Sequence, residues 1–210
     1  VSEHMSGSTF STPPPPGAQW TRQFRLENLE STAELARALA SVLRAGDLLV
    51  LSGGLGAGKT TLTRGLAEHL GVAGAVTSPT FVLARVHPSL CDGPDLVHVD
   101  AYRTDAAGVQ TLDLAATLPD AVTVVEWGRG LVEELLLGPG GSWLDVELSA
   151  ADWTAASQPE PDDAVEPQSV IRTDFSAEEE TGSARTAVVR GYGPRWAEVP
   201  HGLMLVEETG

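Results

Sequence analysis

The chain has 210 residues, 42% of them hydrophobic, enough for one globular domain with its own core. A net charge of −16 argues against a free-standing nucleic-acid binder, which needs Lys and Arg against the phosphates. No run approaches the ~20 apolar residues of a membrane-spanning helix, and a single cysteine, Cys91, excludes an intrachain disulfide. The N-terminus is rich in Ser, Thr and Pro and lacks a basic region followed by an apolar one, so no secretory leader and a cytoplasmic location are expected.

Residues 1–5 are set aside from the fold reading, and residues 1–20 as a whole, with the run Pro13–Pro16, read as a flexible tail. A short strand is expected at Thr21–Leu26. Ser31, with Glu34 three residues on, has the spacing of a helix N-cap and capping box. Leu35, Leu39, Val42 and Leu43 then form a helical stripe that Gly46 closes. Asp47–Ser52 is a continuous apolar run, the pattern of a strand buried on both faces of a parallel sheet. A glycine loop and a helix over Thr60–Leu70 follow, and Gly71 stops that helix. Further strands are expected at Phe81–Val86, Leu96–Val99 and Ala121–Val125, a helix at Arg129–Leu137, and an alternating edge strand at Trp143–Leu148.

Residues 155–182 carry eight acids against Arg172, with prolines at 159, 161 and 167. That composition predicts a disordered acidic insertion, after which Arg185–Arg190 returns as a last strand beside Trp143–Leu148. The domain is therefore expected to span 21–154 plus 183–197, with 198–210 as a C-terminal tail. Alternating strands and helices predict a three-layer α/β fold with a mainly parallel sheet and an antiparallel edge.

Of thirteen basic residues twelve are arginine; the one lysine is Lys59. It lies in Gly53-Gly54-Leu55-Gly56-Ala57-Gly58-Lys59-Thr60, followed by Thr61, which matches the phosphate-binding loop G-x-x-x-x-G-K-[ST]. The glycines let successive backbone N–H groups turn inward around an anion. The compact ammonium of Lys59 fits a narrow cradle that the planar fork of arginine does not. The Thr60 hydroxyl can ligate Mg²⁺, and the helix beginning here points its positive end at the phosphates. Such a site also needs a carboxylate at the tip of a neighbouring strand. Asp100 ends Leu96–Val99, and Glu126 ends Val122–Val125. Ser78-Pro79-Thr80 is a hydroxyl-rich turn placed to act as a switch-like loop, although an ordinary turn has the same spacing. His98 reads as a packed strand histidine, and Trp127 as a core or base-stacking residue.

These four segments, Gly54–Thr61, Ser78-Pro79-Thr80-Phe81, His98-Val99-Asp100-Ala101-Tyr102-Arg103 and Val125-Glu126-Trp127, resemble in order the motifs of the TsaE (YjeE) family. Its members are small ATPases of bacterial N6-threonylcarbamoyladenosine tRNA modification. The resemblance implies ATP and Mg²⁺ at the loop, Thr60 and Glu126 near the metal together with Asp100, and Asp100 required for hydrolysis. It also implies TsaB and TsaD proteins as partners, with tRNA reached through the complex, which modifies adenosine 37 of tRNAs reading codons that begin with A. The family usually carries Asp where this chain has Gly54. Two other readings of the loop are a small nucleoside or nucleotide kinase and a nucleotide-gated scaffold. The first would need an acceptor pocket and an arginine-rich lid, whereas here the arginines are scattered, the stretch between Gly71 and Val125 is short, and Arg103 is a candidate finger in cis.

Overall fold

A computed structural model of the chain describes residues 12–79, 83–102, 104–150, 184–204 and 206. Seven strands form one sheet in the order β1-β7-β6-β2-β5-β4-β3. They are β1 (Trp20–Leu26), β2 (Leu48–Ser52), β3 (Ala84–His87), β4 (Asp95–Asp100), β5 (Ala121–Glu126), β6 (Trp143–Ala150) and β7 (Arg185–Tyr192). The central four, β6-β2-β5-β4, are parallel. Antiparallel strands flank them on both sides, β7 and β1 at one edge and β3 at the other. The antiparallel component expected at one edge thus lies at both.

Helices cover each face. On one, α1 (Leu29–Ala40), α2 (Lys59–Leu70) and the short α6 (His201–Met204) pack over Leu49, Leu51, Val122, Val124, Leu144 and Val146. On the other, Leu48, Val50, Val97, Val99 and Val125 meet α3 (Ala106–Gln110), α4 (Leu114–Thr117) and the loop before α5 (Glu133–Leu137). Alternate residues of each central strand serve opposite cores, which is why these strands read as unbroken apolar runs.

Several boundaries differ from expectation for identifiable reasons. Helix α1 is capped by Asn28: its Oδ1 accepts from the Ser31 N–H at 2.9 Å, and Ser31 Oγ accepts from the Asn28 N–H at 3.1 Å. Ser31 is therefore the third helical residue and not the cap; both residue types fit a capping box, and an extended Asn28 wins. The helix finishes at Ala40, so Gly46 (φ +91°) instead turns the chain into β2, its N–H donating to the Ala121 carbonyl. Of the strand expected at Phe81–Val86, β3 keeps the last three residues; residues 80–82 lie outside those described. The helix expected from Arg129 begins at Glu133, after a turn through Gly130 (φ +76°).

The alternation of Trp143–Leu148 does not mark an edge. Strand β6 lies inside the sheet between β2 and β7, and its two faces meet different surroundings. Leu144, Val146 and Leu148 enter the α1/α2 core. On the opposite face Asp145, fully buried, takes both forks of Arg129 (Nε and Nη2, each 2.8 Å), and Arg190 Nη1 reaches its Oδ2 at 2.9 Å. Glu147 closes the cluster at 3.1 Å from Arg129 and 2.9 Å from Arg190, so two cations meet two anions.

The ends of the chain are more engaged than their composition suggests. Arg129 Nη1 donates to the Thr12 carbonyl at 3.0 Å and the Tyr192 hydroxyl to the Pro15 carbonyl at 2.8 Å, so residues 12–19 lie against the domain and are not a free tail. The C-terminal boundary expected at 197 comes too early as well. Leu203 is fully buried against α1, and a Cβ at Gly202 would stand 2.6 Å from Ser41 Oγ. Strands β6 and β7 pair antiparallel from Trp143↔Tyr192 to Ala150↔Arg185, as expected of the pieces flanking the acidic segment; residues 155–182 themselves lie outside those described.

Removing one anion from a buried ion cluster strands its partners. Asp145→Ala is expected to lower stability by about 3–5 kcal/mol, read as a reduced urea midpoint with an unchanged slope. A loss under ~1 kcal/mol would mean that the cluster tolerates an unpaired Arg129.

Candidate nucleotide site

The site is built where β2 ends and α2 begins. Between them the loop turns through Gly53 (φ +135°), Gly56 (φ +75°) and Gly58 (φ +100°), a left-handed region open to glycine and strained for other residues. Gly53 is also fixed by packing, since a Cβ there would overlap the Leu148 carbonyl of β6. Gly54 has no such constraint: nothing stands within 4 Å of the Cβ position, and its φ is not positive.

Lys59 opens α2 and is 5% exposed. Its Nζ donates to the Gly53 and Gly54 carbonyls, each at 2.9 Å, and sits 3.8 Å from the centre of the Trp127 ring. Burial pushes its pKa below the ordinary lysine value, and the nearby charges of Glu126 and Asp100 partly restore it. The ammonium is thus held by weak neutral partners, carbonyl dipoles and a π-face, inside a loop whose glycines could close around an anion.

The sheet supplies the acids. Asp100 and Glu126 end adjacent parallel strands and stand in register on the face that carries α2. Both are almost fully buried. Glu126 Oε1 accepts from Thr60 Oγ1 at 2.9 Å, so the first turn of α2 and the tip of β5 touch directly. Asp100 Oδ1 accepts from the Tyr102 N–H at 2.9 Å. The chain leaves β5 through Trp127 in a left-handed conformation (φ +63°), with its N–H on the Leu51 carbonyl. That turn brings the indole over Lys59 and against Tyr102, ring centres 5.0 Å apart.

The sequence-derived candidates Lys59, Thr60, Asp100 and Glu126 therefore meet at one end of the sheet. Leu55 is exposed at the crown of the loop, Ala57 donates its N–H to the Gly54 carbonyl at 3.2 Å, and Thr61 lies in the first turn of α2. Of the switch-like loop, Pro79 is buried, Ser78 is exposed, and Thr80 lies outside the described residues, as does Arg103. Pro79 is tied to the acid strand, its carbonyl accepting from the Leu83 N–H while the Leu83 carbonyl accepts from the Asp100 N–H.

Three residues carry more than their sequence reading gave them. Trp127 is half-buried and not in the core, and it covers Lys59. His98 bonds to Glu126 (Nε2 to Oε1, 2.8 Å); the signal was its place two residues before Asp100, on the same strand face. Arg185, at the start of β7, reaches the Gly56 carbonyl at 3.4 Å, a contact across 129 positions that no local pattern announces.

Among the described residues no group of three or more His, Cys, Asp and Glu forms a metal cage. Mg²⁺ in phosphate sites uses one or two carboxylates and takes its remaining ligands from substrate and water; Thr60 with Glu126 or Asp100 could provide the protein's share.

A sequence model of the threonylcarbamoyl adenosine biosynthesis protein TsaE matches residues 26–156, more than half of the chain. The chain belongs to the TsaE family. Among similar proteins, TsaE of Streptomyces coelicolor is 70% identical over 104 residues, which cover 49% of this chain and 70% of that protein. TsaE of Mycobacterium leprae is 50% identical over 130 residues, covering 58% and 78%. The fold resembles the crystal structure of Bacillus subtilis YdiB, with a TM-score of 0.56 and 28% identity over 84% of this chain and 89% of that one. The TsaE match takes in the glycine loop and both acids and leaves β7 and α6 outside it.

Two neighbouring glycines of this TsaE chain should behave oppositely. Gly53→Ala combines a positive φ with a backbone overlap and is expected to cost about 3 kcal/mol, whereas Gly54→Asp should change stability by no more than ~0.5 kcal/mol. Thermal unfolding of both variants measures the contrast, and equal shifts would contradict the loop geometry.

Proposed function

We propose that this TsaE chain binds ATP at Gly53–Thr61 with Mg²⁺ and hydrolyses it as a subunit of the tRNA-modifying assembly that contains TsaB and TsaD. In that reading its turnover serves threonylcarbamoyl transfer to adenosine 37 of tRNAs reading codons that begin with A. The observation that carries the reading is the Thr60–Glu126 contact beside a buried lysine, with Asp100 in register next to it.

Each residue has a role that follows from its chemistry. Lys59 exchanges the Gly53 and Gly54 carbonyls for the β- and γ-phosphate oxygens, trading dipoles for full charges in a site of low dielectric. The inward-turned N–H groups of the loop and the N-terminus of α2 take the remaining phosphate charge. Thr60 and Glu126 would hold Mg²⁺, which when bound would supply neutralisation of the phosphate charge. Asp100 is buried and pinned through Oδ1 by the Tyr102 N–H, which suits it to orient the attacking water and accept its proton.

A protein of net charge −16 makes a poor tRNA ligand by itself, and a complex in which other subunits provide the basic surface removes that difficulty. A cytoplasmic location fits this role. The described residues contain no helix long and apolar enough to cross a membrane.

The test is phosphate release by the chain with TsaB and TsaD present. Asp100→Asn is expected to lower the rate by about 10²-fold or more while ATP still binds, and Glu126→Gln to lower it together with the response to Mg²⁺. Parent rates in both variants would remove the assignment of the acids. Turnover above ~1 s⁻¹ by the chain alone would favour the kinase reading.

A further inference from the structure

We propose that His98 is a positioning residue: its Nε2–H fixes the Glu126 carboxylate so that Glu126 can receive Mg²⁺. This rests on the nucleotide reading above and deepens it. On that face of the sheet His98 stands between Leu96, Val122 and Val124, aliphatic members of the α1/α2 core, and the two acids Asp100 and Glu126 at the strand ends. His98 is fully buried among them, where an aliphatic side chain would pack without polar cost. Its Nδ1 has no hydrogen-bond partner among the described residues, a penalty to folding that an apolar residue would avoid. Its polar group is used on the other side, where Nε2 lies 2.8 Å from Glu126 Oε1.

A glutamate carboxylate turns freely about its last torsion unless something outside it sets the plane. Here two donors converge on the same oxygen, Thr60 Oγ1 at 2.9 Å and His98 Nε2 at 2.8 Å. Thr60 is itself a metal-ligand candidate, and its hydroxyl can give a lone pair to a cation while its proton still points to Oε1. His98 is the one of the two donors with no metal to hold, so its whole effect falls on Oε1. It reaches there because parallel pairing sets His98 beside Val124, one side-chain repeat below Glu126 on the same face.

Two variants separate positioning from packing. The side-chain amide nitrogen of Gln can stand where Nε2 stands, whereas that of Asn extends only as far as Nδ1. ATP affinity is measured for wild type, His98→Asn and His98→Gln, in EDTA and across an Mg²⁺ titration, alongside thermal unfolding. The expected result is an Mg²⁺ half-saturation raised about 10–100-fold in His98→Asn, near wild type in His98→Gln, with EDTA affinity unchanged in both. Unaltered Mg²⁺ dependence in His98→Asn would overturn the proposal. So would equal losses in both variants, or parallel falls in unfolding temperature and EDTA affinity, which would make His98 a packing residue. Failure of the wild type to bind ATP at all would instead overturn the nucleotide reading, and this inference with it.

Discussion

A buried ammonium has to be answered, and the architecture around Lys59 is organised to do so. Lys59 opens α2, and at 5% exposure its side chain draws little help from water. Two backbone carbonyls, one indole face and the fields of Asp100 and Glu126 hold it. Each of these depends on something larger. The carbonyls face Lys59 because glycines allow the loop its positive φ values. The acids are near because β2, β5 and β4 are parallel neighbours whose C-terminal ends align. The indole is there because Trp127 takes a left-handed turn off the end of β5. None of these partners matches a phosphate group for an ammonium, and that mismatch is what a nucleotide would relieve.

The opposite half of the sheet answers a second buried charge differently. Arg129, three residues beyond Glu126, is neutralised within the protein by Asp145 and Glu147, with Arg190 completing the cluster. No partner is left for a ligand to supply, so this cluster anchors the turn after β5 from below while the other end of the same segment carries Glu126. The Thr12 and Pro15 carbonyls are drawn onto that face by Arg129 and Tyr192. Two electrostatic centres on either side of one short segment, Glu126–Arg129, thus have opposite character, one saturated and one open.

Much of this was legible in the sequence, for a physical reason. The phosphate loop, the strand before it and the helix after it depend on local rules: glycine conformations, an apolar run and helical spacing. Asp100 and Glu126 could be read because acids at the ends of apolar strands converge once the strands run parallel. The failures are contacts between distant segments. Nothing local tells that Thr12 lies near Arg129, that Leu203 closes the α1 core, or that Arg185 reaches Gly56. The alternation of β6 does not distinguish an edge from an interior strand, because an ion cluster on one face produces the same pattern as solvent. Asn28 and Ser31 are both good caps, and the extended backbone at Asn28 decides between them.

The central claim is that Lys59 is a phosphate ligand and not a structural lysine. Calorimetric titration of the full chain and of Lys59→Ala with ATP and Mg²⁺ tests it most directly. Wild type should bind and Lys59→Ala should lose measurable binding while still unfolding cooperatively. Equal ATP affinity in the two proteins would contradict the account.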